Sequence, residues 1–151
     1  MDADAAPREA LRLWLRLLTC TALAEGELRR RLRAQFGTTL PRFDLLAALD
    51  RAPEGMTLGE VSRRMMVSNG NVTGLAARME AEGLVERRLD AGDRRAFRLR
   101  LTERGAREFA RQSRAHAAWV AELLGGLDPA DGQALHRLLG DAKQSIAKAL
   151  A

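Results

Sequence analysis

The sequence predicts a mainly α-helical fold with one small β-hairpin, in which a winged helix-turn-helix lobe lies between long helices from both termini. Apolar residues recur at the helical spacing of three and four along most of the 151-residue chain. The period changes to two between Val85 and Leu101, on either side of the turn residues in "DAGDRR", as expected for a hairpin. Three short helices precede this hairpin, and that order is typical of a winged helix.

We expect a single domain over residues 1–151, in which residues 38–101 form the winged lobe and residues 7–36 and 102–151 form dimerisation helices. Each terminal region carries an apolar stripe on one side, which is too extensive to face water. The length and the terminal positions of these helices favour pairing with a second copy in a two-fold dimer over packing on the lobe.

The composition fits a folded protein without a cofactor. Hydrophobic residues make up 46%, charged residues 30%, and the formal net charge is +5. Cys20 is the single cysteine, and His116 and His136 are isolated on helical segments, so we expect neither a disulfide nor a metal site. The N-terminal residues lack a signal-peptide core, and no segment has the ~20 apolar residues that cross a bilayer. The Ala/Arg-rich, Lys-poor composition suggests a bacterial source, so we expect a cytoplasmic bacterial protein.

Capping residues predict the helix boundaries. The first helix begins at about Pro7, the second begins at Pro41, and Thr57 with Glu60 forms a capping box at the start of the third. The fourth helix runs from about Asn69 to Glu82 and ends at a glycine that suits a left-handed stop, Gly83. The other predicted N-caps are Ser68, Thr102 and Asp128.

The fourth helix combines an apolar face with an opposite face of very small residues. At 100° per residue, the inward face consists of Val72, Leu75, Ala76 and Met79. The opposite ridge consists of Gly70, Gly74, Ala77 and Ala81. The polar residues beside the ridge or at its leading end are Ser68, Asn69, Asn71, Thr73 and Arg78. A bare ridge allows a helix to lie deep in a major groove, where polar flanks reach base edges and phosphates. The alternative is close contact with another helix.

The hairpin carries a local excess of positive charge. It has six arginines against three acidic residues, Glu86, Asp90 and Asp93. Arg94 and Arg95 are at the tip, where arginine suits the minor groove of adjacent DNA. We expect Asp93 to shape the turn by an ion pair with Arg95, which leaves Arg94 free for DNA. A solvated surface is the alternative for these arginines.

The chain resembles the MarR family of bacterial transcriptional regulators, most clearly in "VTGLAARMEAEGLV", in the wing motif "DRR" and in "LRLTERG". The resemblance extends over nearly the whole chain. It implies an obligate homodimer that reads a palindromic operator in double-stranded DNA and is often released by a small molecule or an oxidant. It implies DNA contacts for Ser68, Asn69, Asn71, Thr73, Arg78, Arg94 and Arg95, with Asp93 bracing the wing.

The resemblance also suggests an effector class. In the family, the effector pocket commonly lies between the dimerisation helices and the DNA-binding lobe, and the candidate lining residues here are Trp14, Leu18, Thr21 and Phe43. Ordinary core packing is the alternative for each of them. Aromatic carboxylates and aryl-CoA thioesters are effectors of this family, so we expect a repressor that an aromatic acid or its CoA thioester releases. The arginines of residues 29–33 are candidates for neutralising its negative charge; a solvated helix end is the alternative.

Three other functions are weaker alternatives. A thiol sensor would use Cys20, but the sequence has no tyrosine to activate it and Arg16 is the single nearby cation. Because Cys20 also follows an apolar run, we expect a buried, unreactive thiol. An enzyme is set aside because the sequence has no nucleophile-His-acid grouping and no Walker phosphate loop. The third alternative is a winged-helix module that does not bind DNA. Measuring DNA affinity against salt distinguishes it, because the affinity of a true DNA-binding protein falls steeply as salt rises.

Overall fold

The computed structural model describes residues 4–65, 69–93 and 95–151, with the backbone alone at residues 69 and 70. The elements in chain order are α1 (Ala5–Phe36), α2 (Leu40–Asp50), α3 (Leu58–Met65), α4 (Asn69–Ala81), β1 (Val85–Leu89), β2 (Phe97–Leu101), α5 (Glu103–Leu124) and α6 (Pro129–Leu150). This order confirms the predicted mainly α fold with one hairpin. The chain divides into two compact units, Met1–Ala117 and Ala118–Ala151. Within the described residues, no helix is long and apolar enough to span a membrane.

Three of the predicted caps form as expected. The backbone N–H of Thr57 donates to Glu60 Oε2 at 2.9 Å, and the N–H of Glu60 donates to Thr57 Oγ1 at 3.2 Å, which completes the capping box. Thr102 Oγ1 accepts from the N–H of Gly105 at 3.0 Å, and an Asp128 carboxylate oxygen accepts from the first turn of α6 at 2.8 Å. The predicted N-cap at Ser68 lies outside the described residues.

Two glycines set the junction between α4, the hairpin and α5. Gly83 has φ of 76°, the left-handed conformation predicted for the end of α4. Gly105 is buried, and a Cβ there would lie 1.9 Å from the carbonyl oxygen of Leu84. Any larger residue at Gly105 would therefore push α5 away from the first strand of the wing.

The core of the winged lobe joins α2, α3, α4 and the hairpin. Its most deeply buried side chains are Leu45, Leu46, Val61, Val72, Ala76, Met79 and Leu99. The strands pair antiparallel, with Val85 opposite Leu101 and Leu89 opposite Phe97. Met56 extends this pairing, because its N–H and carbonyl groups bond to Leu99 at 2.8 and 2.7 Å. The base of the wing is thus fixed to the segment that precedes α3.

The terminal helices bury few of their apolar side chains. In α1 only Leu28 and Leu32 are buried, whereas the exposed large apolar residues include Leu11, Leu13, Trp14, Leu15, Leu18 and Leu23. In the second unit, α6 exposes Leu135, Leu138, Leu139 and Ile146. Cys20 on α1 is exposed as well, so the predicted burial of this thiol is wrong.

The inward face of α5 differs from the stripe that helical spacing of apolar and small residues predicts, which consists of Ala106, Phe109, Ser113, Ala117, Val120 and Leu124. Gly105 and Gln112 are its buried residues, and Phe109 and His116 are half-buried at the same helical spacing, whereas Ala106 is exposed. The sequence stripe followed hydrophobicity and therefore missed a face that contains a glycine, a glutamine and a histidine.

Candidate nucleic-acid interface

Helix α4 has the two faces that the sequence predicts. Val72, Leu75, Ala76 and Met79 are buried in the core of the lobe. On the other side, Asn71, Thr73, Ala77, Arg78 and Ala81 are exposed. At Gly74, an added Cβ would meet only Arg78 Nη1, at 3.7 Å, an ordinary contact distance. The fold of the chain therefore does not itself require a glycine at this position of the ridge.

The outward ridge of α4 separates two flanks. At 100° per residue, the first flank, called the α2 flank, carries Asn71, Arg78 and Glu82, the last lying just beyond the helix end. The second flank, called the wing flank, carries Thr73 and Glu80.

Ion pairs fix a different element beside each flank. Glu80 accepts from Arg87 Nε at 2.6 Å, which places β1 beside the wing flank. Glu82 forms a two-pronged pair with Arg42, whose Nη1 lies 3.1 Å from Oε1, and this places the start of α2 beside the α2 flank. The hydrogen bonds from Arg42 also lower the pKa of the Glu82 carboxyl, so this contact is charged at neutral pH.

Most of the described wing arginines brace the wing. Arg98 donates to the Gly55 carbonyl at 2.9 Å and to Glu60 at 3.1 Å, which connects β2 to the start of α3. Arg87 also stacks over the Phe97 ring, with its guanidinium carbon 4.5 Å from the centroid. Other pairs within the hairpin join Arg88 and Arg100 to Glu86, at 3.1 and 3.5 Å, and Arg98 to Asp90, at 3.9 Å. The positive charge of the hairpin therefore also positions it against α3 and α4.

The wing tip is held through the backbone. Asp93 Oδ1 accepts from the backbone N–H of Arg95 at 2.9 Å, and Asp90 Oδ1 accepts from the N–H of Gly92 at 3.2 Å. We expected Asp93 to pair with the Arg95 guanidinium, and this pair is not among the contacts of the described residues. The carboxylate instead closes the turn and leaves the exposed Arg95 side chain outside it. Arg94, the other predicted wing contact, lies outside the described residues.

The two leading polar positions of α4 are described only in part. Ser68 lies outside the described residues, and Asn69 is described by its backbone at the first position of the helix. The structure thus brings Asn71, Thr73 and Arg78 to the exposed side of α4, with Arg95 on the wing.

The structure does not bring the predicted effector residues together within one chain. Trp14, Leu18 and Thr21 are exposed on α1. Phe43 is buried instead, and its ring centroid lies 5.6 Å from that of Phe109 and 4.5 Å from that of His116. Burial lowers the pKa of His116, which favours the neutral ring in this stack.

The arginine cluster at residues 29–33 is largely paired within α1. Arg29 donates to Glu25 at 3.0 Å, and Arg30 and Arg31 both donate to Glu27. Hydrogen bonds from Arg30 and then Arg31 lower the pKa of Glu27 to about 2. Spacings of three and four residues between these acids and arginines are the sequence signal for such pairs.

A polar cavity of about 310 Å³ was not predicted. Its lining includes Phe36, Arg104, Glu108, Arg111 and Gln112. Gln112 is buried and donates to Glu108 at 2.9 Å, while its Oε1 has no partner among the described residues. The signal in the sequence was the helical spacing that Gly105, Phe109, Gln112 and His116 share on α5. A search for apolar residues alone does not identify this face, because only one of the four is a large apolar residue.

The fold and the two-flanked helix define a winged helix-turn-helix regulator, and comparison with known proteins agrees. A model of the MarR family matches residues 36–96. A crystal structure of a MarR family transcriptional regulator from Silicibacter pomeroyi is 32% identical, covers 94% of this chain and 98% of that one, and has a TM-score of 0.79. The chain belongs to the MarR family of winged-helix transcriptional regulators.

Two other proteins resemble this chain, one in sequence and one in fold. The transcriptional activatory protein BadR of Rhodopseudomonas palustris is 37% identical over 105 residues, which cover 68% of this chain and 59% of that protein. The match therefore spans less than two thirds of that relative's length. The structure of Streptococcus pneumoniae FabT in complex with DNA is 23% identical with a TM-score of 0.75, covers 92% of this chain and 98% of that one, and shares the fold.

Proposed function

We propose that this chain is a sequence-specific regulator that binds double-stranded DNA through α4 and the wing. The observation that carries this proposal is the exposed ridge of α4, where Gly74 has room for a side chain that the fold does not exclude. Membership of the MarR family supports the same function, as does the DNA complex of FabT, which has this fold. A bacterial protein that binds chromosomal DNA acts in the cytoplasm, so we propose a cytoplasmic location.

The proposed contacts divide into base reading, phosphate binding and wing insertion. Amide side chains pair well with adenine, and the threonine methyl group suits thymine. We assign base reading at the major groove to Asn69, Asn71 and Thr73. Ser68 and Arg78 contact backbone phosphates, and Arg94 and Arg95 enter the minor groove, with Asp93 holding the turn. These roles agree with the exposure of the described members of this set.

The proposed assembly is a homodimer on a palindromic operator. Support comes from the apolar residues that α1 and α6 expose, among them Trp14, Leu18, Leu138 and Ile146. A surface of this kind is rarely left in water, and a two-fold interface would cover it with the same surface of a second copy. Two winged lobes would then read half-sites about one helical turn, roughly 34 Å, apart.

The substitution Gly74→Leu tests the DNA-binding mode. Leucine improves helix propensity and fits the single-chain structure, but its side chain would fill the space that the groove floor requires. We expect affinity for duplexes selected by the wild type from a random pool to fall about 10-fold or more, with little change in Tm. Gly26→Leu is the matched control, because this glycine of α1 also has open space around it.

Fluorescence anisotropy across a range of salt concentrations provides the readout. Steep loss of wild-type affinity with rising salt is expected for a protein that neutralises several phosphates. Normal operator binding by Gly74→Leu would refute the ridge argument. Weak, salt-insensitive binding by the wild type would favour a winged-helix module that binds proteins.

For regulation, we propose release by an aromatic acid or its CoA thioester. Trp14, Leu18 and Thr21 are exposed in one chain and would line a pocket when a second chain covers them. We propose that the protein represses transcription. A reporter gene fused to a selected operator would distinguish repression from activation, which matters because the relative BadR is described as an activatory protein. A thermal-shift series with benzoate, salicylate and benzoyl-CoA should raise the Tm of the dimer. No stabilisation by any of them would remove this effector class.

A second candidate for regulation is thiol sensing. The observation that favours it is the exposure of Cys20 on α1. Peroxide treatment should then release the wild type from DNA and leave Cys20→Ser bound. Release of both proteins, or of neither, would exclude the thiol as the sensor.

A further inference from the structure

A positively charged cleft lies at the N-terminal end of α2, beside the α2 flank of the recognition helix. Its volume is about 400 Å³. The lining comes from the end of α1, the start of α2 and one side of α4, and no acidic residue is among its described members. These are Arg29, Arg33, Thr38, Thr39, Leu40, Pro41, Arg42, Leu75 and Arg78.

The four arginines of this cleft are not equivalent. Arg29 pairs with Glu25, and Arg42 pairs with Glu82. Arg33 and Arg78 make no side-chain hydrogen bond or ion pair with any residue in the part of the chain that the structure describes. The two acidic partners offset two of the four positive charges, so about two remain available to an anion in the cleft.

The backbone at the cleft also favours an anion. Helix α2 begins here, and the N–H groups of a first helical turn together with the helix dipole attract negative charge. The cap at this end is long, since Thr39 Oγ1 lies 3.4 Å from the N–H of Arg42. Thr38 is buried and lines the same cleft, so an anion there would meet hydroxyl, amide and guanidinium donors together.

The position of the cleft relative to α4 indicates what that anion is. A helix in the major groove has one phosphate backbone on each side. The wing stands beside one flank of α4, because β1 pairs with Glu80 through Arg87. The cleft stands beside the other flank, because the start of α2 pairs with Glu82 through Arg42. One groove-bound helix would therefore have a cationic element on both sides.

We propose that the α2 cleft binds a backbone phosphate of the operator on the side of the major groove opposite the wing, with Arg33 and Arg78 as its charged donors. The end of α1 thereby becomes part of the DNA-binding surface. This inference rests on the proposed function, and it adds Arg33, Thr39 and the N-terminus of α2 to the contacts.

The test compares Arg33→Gln with Arg51→Gln. Arg51 is exposed at the opposite end of α2, about 16 Å along the helix axis, and therefore serves as a matched loss of one charge. Removing one phosphate contact should lower the slope of log affinity against log salt by about 0.9 and weaken binding about 8-fold at 0.1 M salt. Because a phosphate contact carries no sequence information, the loss should be the same on selected and on mixed-sequence duplexes.

Arg33→Lys and Arg78→Gln complete the design. Lysine keeps the charge, so Arg33→Lys should retain most of the salt slope, while Arg78→Gln should reproduce the loss. Melting curves should be unchanged for all four variants, because these side chains support no described contact of the core.

The outcomes separate this inference from the proposed function. Absence of DNA binding by the wild type overturns the proposed function and the cleft assignment together. Wild-type binding with an unchanged affinity and salt slope in Arg33→Gln overturns the cleft assignment alone. The same result in Arg78→Gln also removes the phosphate contact assigned to Arg78 in the proposed function. A third outcome is that inorganic phosphate raises the Tm of the wild type but not of Arg33→Gln, while both proteins show the same salt slope of DNA affinity. The cleft would then bind a small anion and not operator DNA, which also overturns the assignment.

Discussion

The winged lobe and the terminal helices use similar apolar stripes for different purposes. Leu46 and Met79 of the lobe are 1% and 0% exposed, whereas Leu18 on α1 and Leu138 on α6 are 47% and 54% exposed. The lobe therefore buries its apolar side chains against its own elements. The terminal helices leave many of theirs exposed in the single chain. Similar hydrophobic patterns can thus lead to different degrees of burial within one chain, and the proposed dimer accounts for the exposed ones.

The largest expected effect separates these two uses of leucine. Leu46→Ala should lower the free energy of unfolding by about 2–5 kcal/mol at any protein concentration, because it leaves a cavity in the lobe. Leu18→Ala should act through the proposed dimer, so its effect on Tm should depend on protein concentration. Thermal unfolding over a range of concentrations measures both. Equal, concentration-independent losses from the two variants would contradict the comparison.

A smaller effect compares threonines in the same two regions. Thr57→Ala should cost about 1 kcal/mol, because Thr57 caps α3 through a reciprocal pair with Glu60. Thr19→Ala in α1 should be neutral or slightly stabilising, since the Thr19 hydroxyl only bonds back to the Leu15 carbonyl at 2.8 Å. Urea unfolding at one protein concentration measures both changes. A larger loss at Thr19 than at Thr57 would reverse the assignment of local stability to the lobe.

The smallest expected effect concerns pH and the stacked ring of His116. Burial lowers the pKa of His116 in the folded protein, so its contribution is present above the unfolded pKa of about 6.5 and is lost as pH falls through the lowered value. His116→Phe keeps an aromatic stack on Phe43 and cannot titrate. The difference in stability between wild type and variant should therefore shift against the wild type below about pH 6.5. A difference that is constant from about pH 5 to 8 would show that His116 does not titrate in this range.

The sequence predicted elements well where the relevant interaction is local. The capping box of Thr57 and Glu60 and the left-handed Gly83 depend on residues within one helical turn, and both form as predicted. The buried face of α4 was also predicted, because its apolar residues share one clear stripe.

Predictions failed where the partner is distant in sequence. From the sequence, Arg98 was one of the arginines that give the hairpin its positive charge, and no partner outside the hairpin was predicted for it. In the structure it donates to Glu60 and to the Gly55 carbonyl, more than 35 residues earlier. Cys20 was expected to be buried because it follows an apolar run, but burial requires a second surface that helix periodicity does not specify. The neighbour of the α2 flank is also set by a long-range pair, since Arg42 and Glu82 are 40 residues apart, whereas Glu80 and Arg87 beside the wing flank are only 7 residues apart.

The sequence by itself determined the order of elements, the small-residue ridge of α4 and the family to which the chain belongs, because periodicity, capping and motif are local properties. Only the tertiary structure decided which arginines brace the wing and which are available to an anion. That distinction depends on acids from other elements, as Glu82 pairs with Arg42, whereas Arg33 and Arg78 form no side-chain hydrogen bond or ion pair within the described residues. Charge can be counted along a chain, but its pairing is fixed by packing.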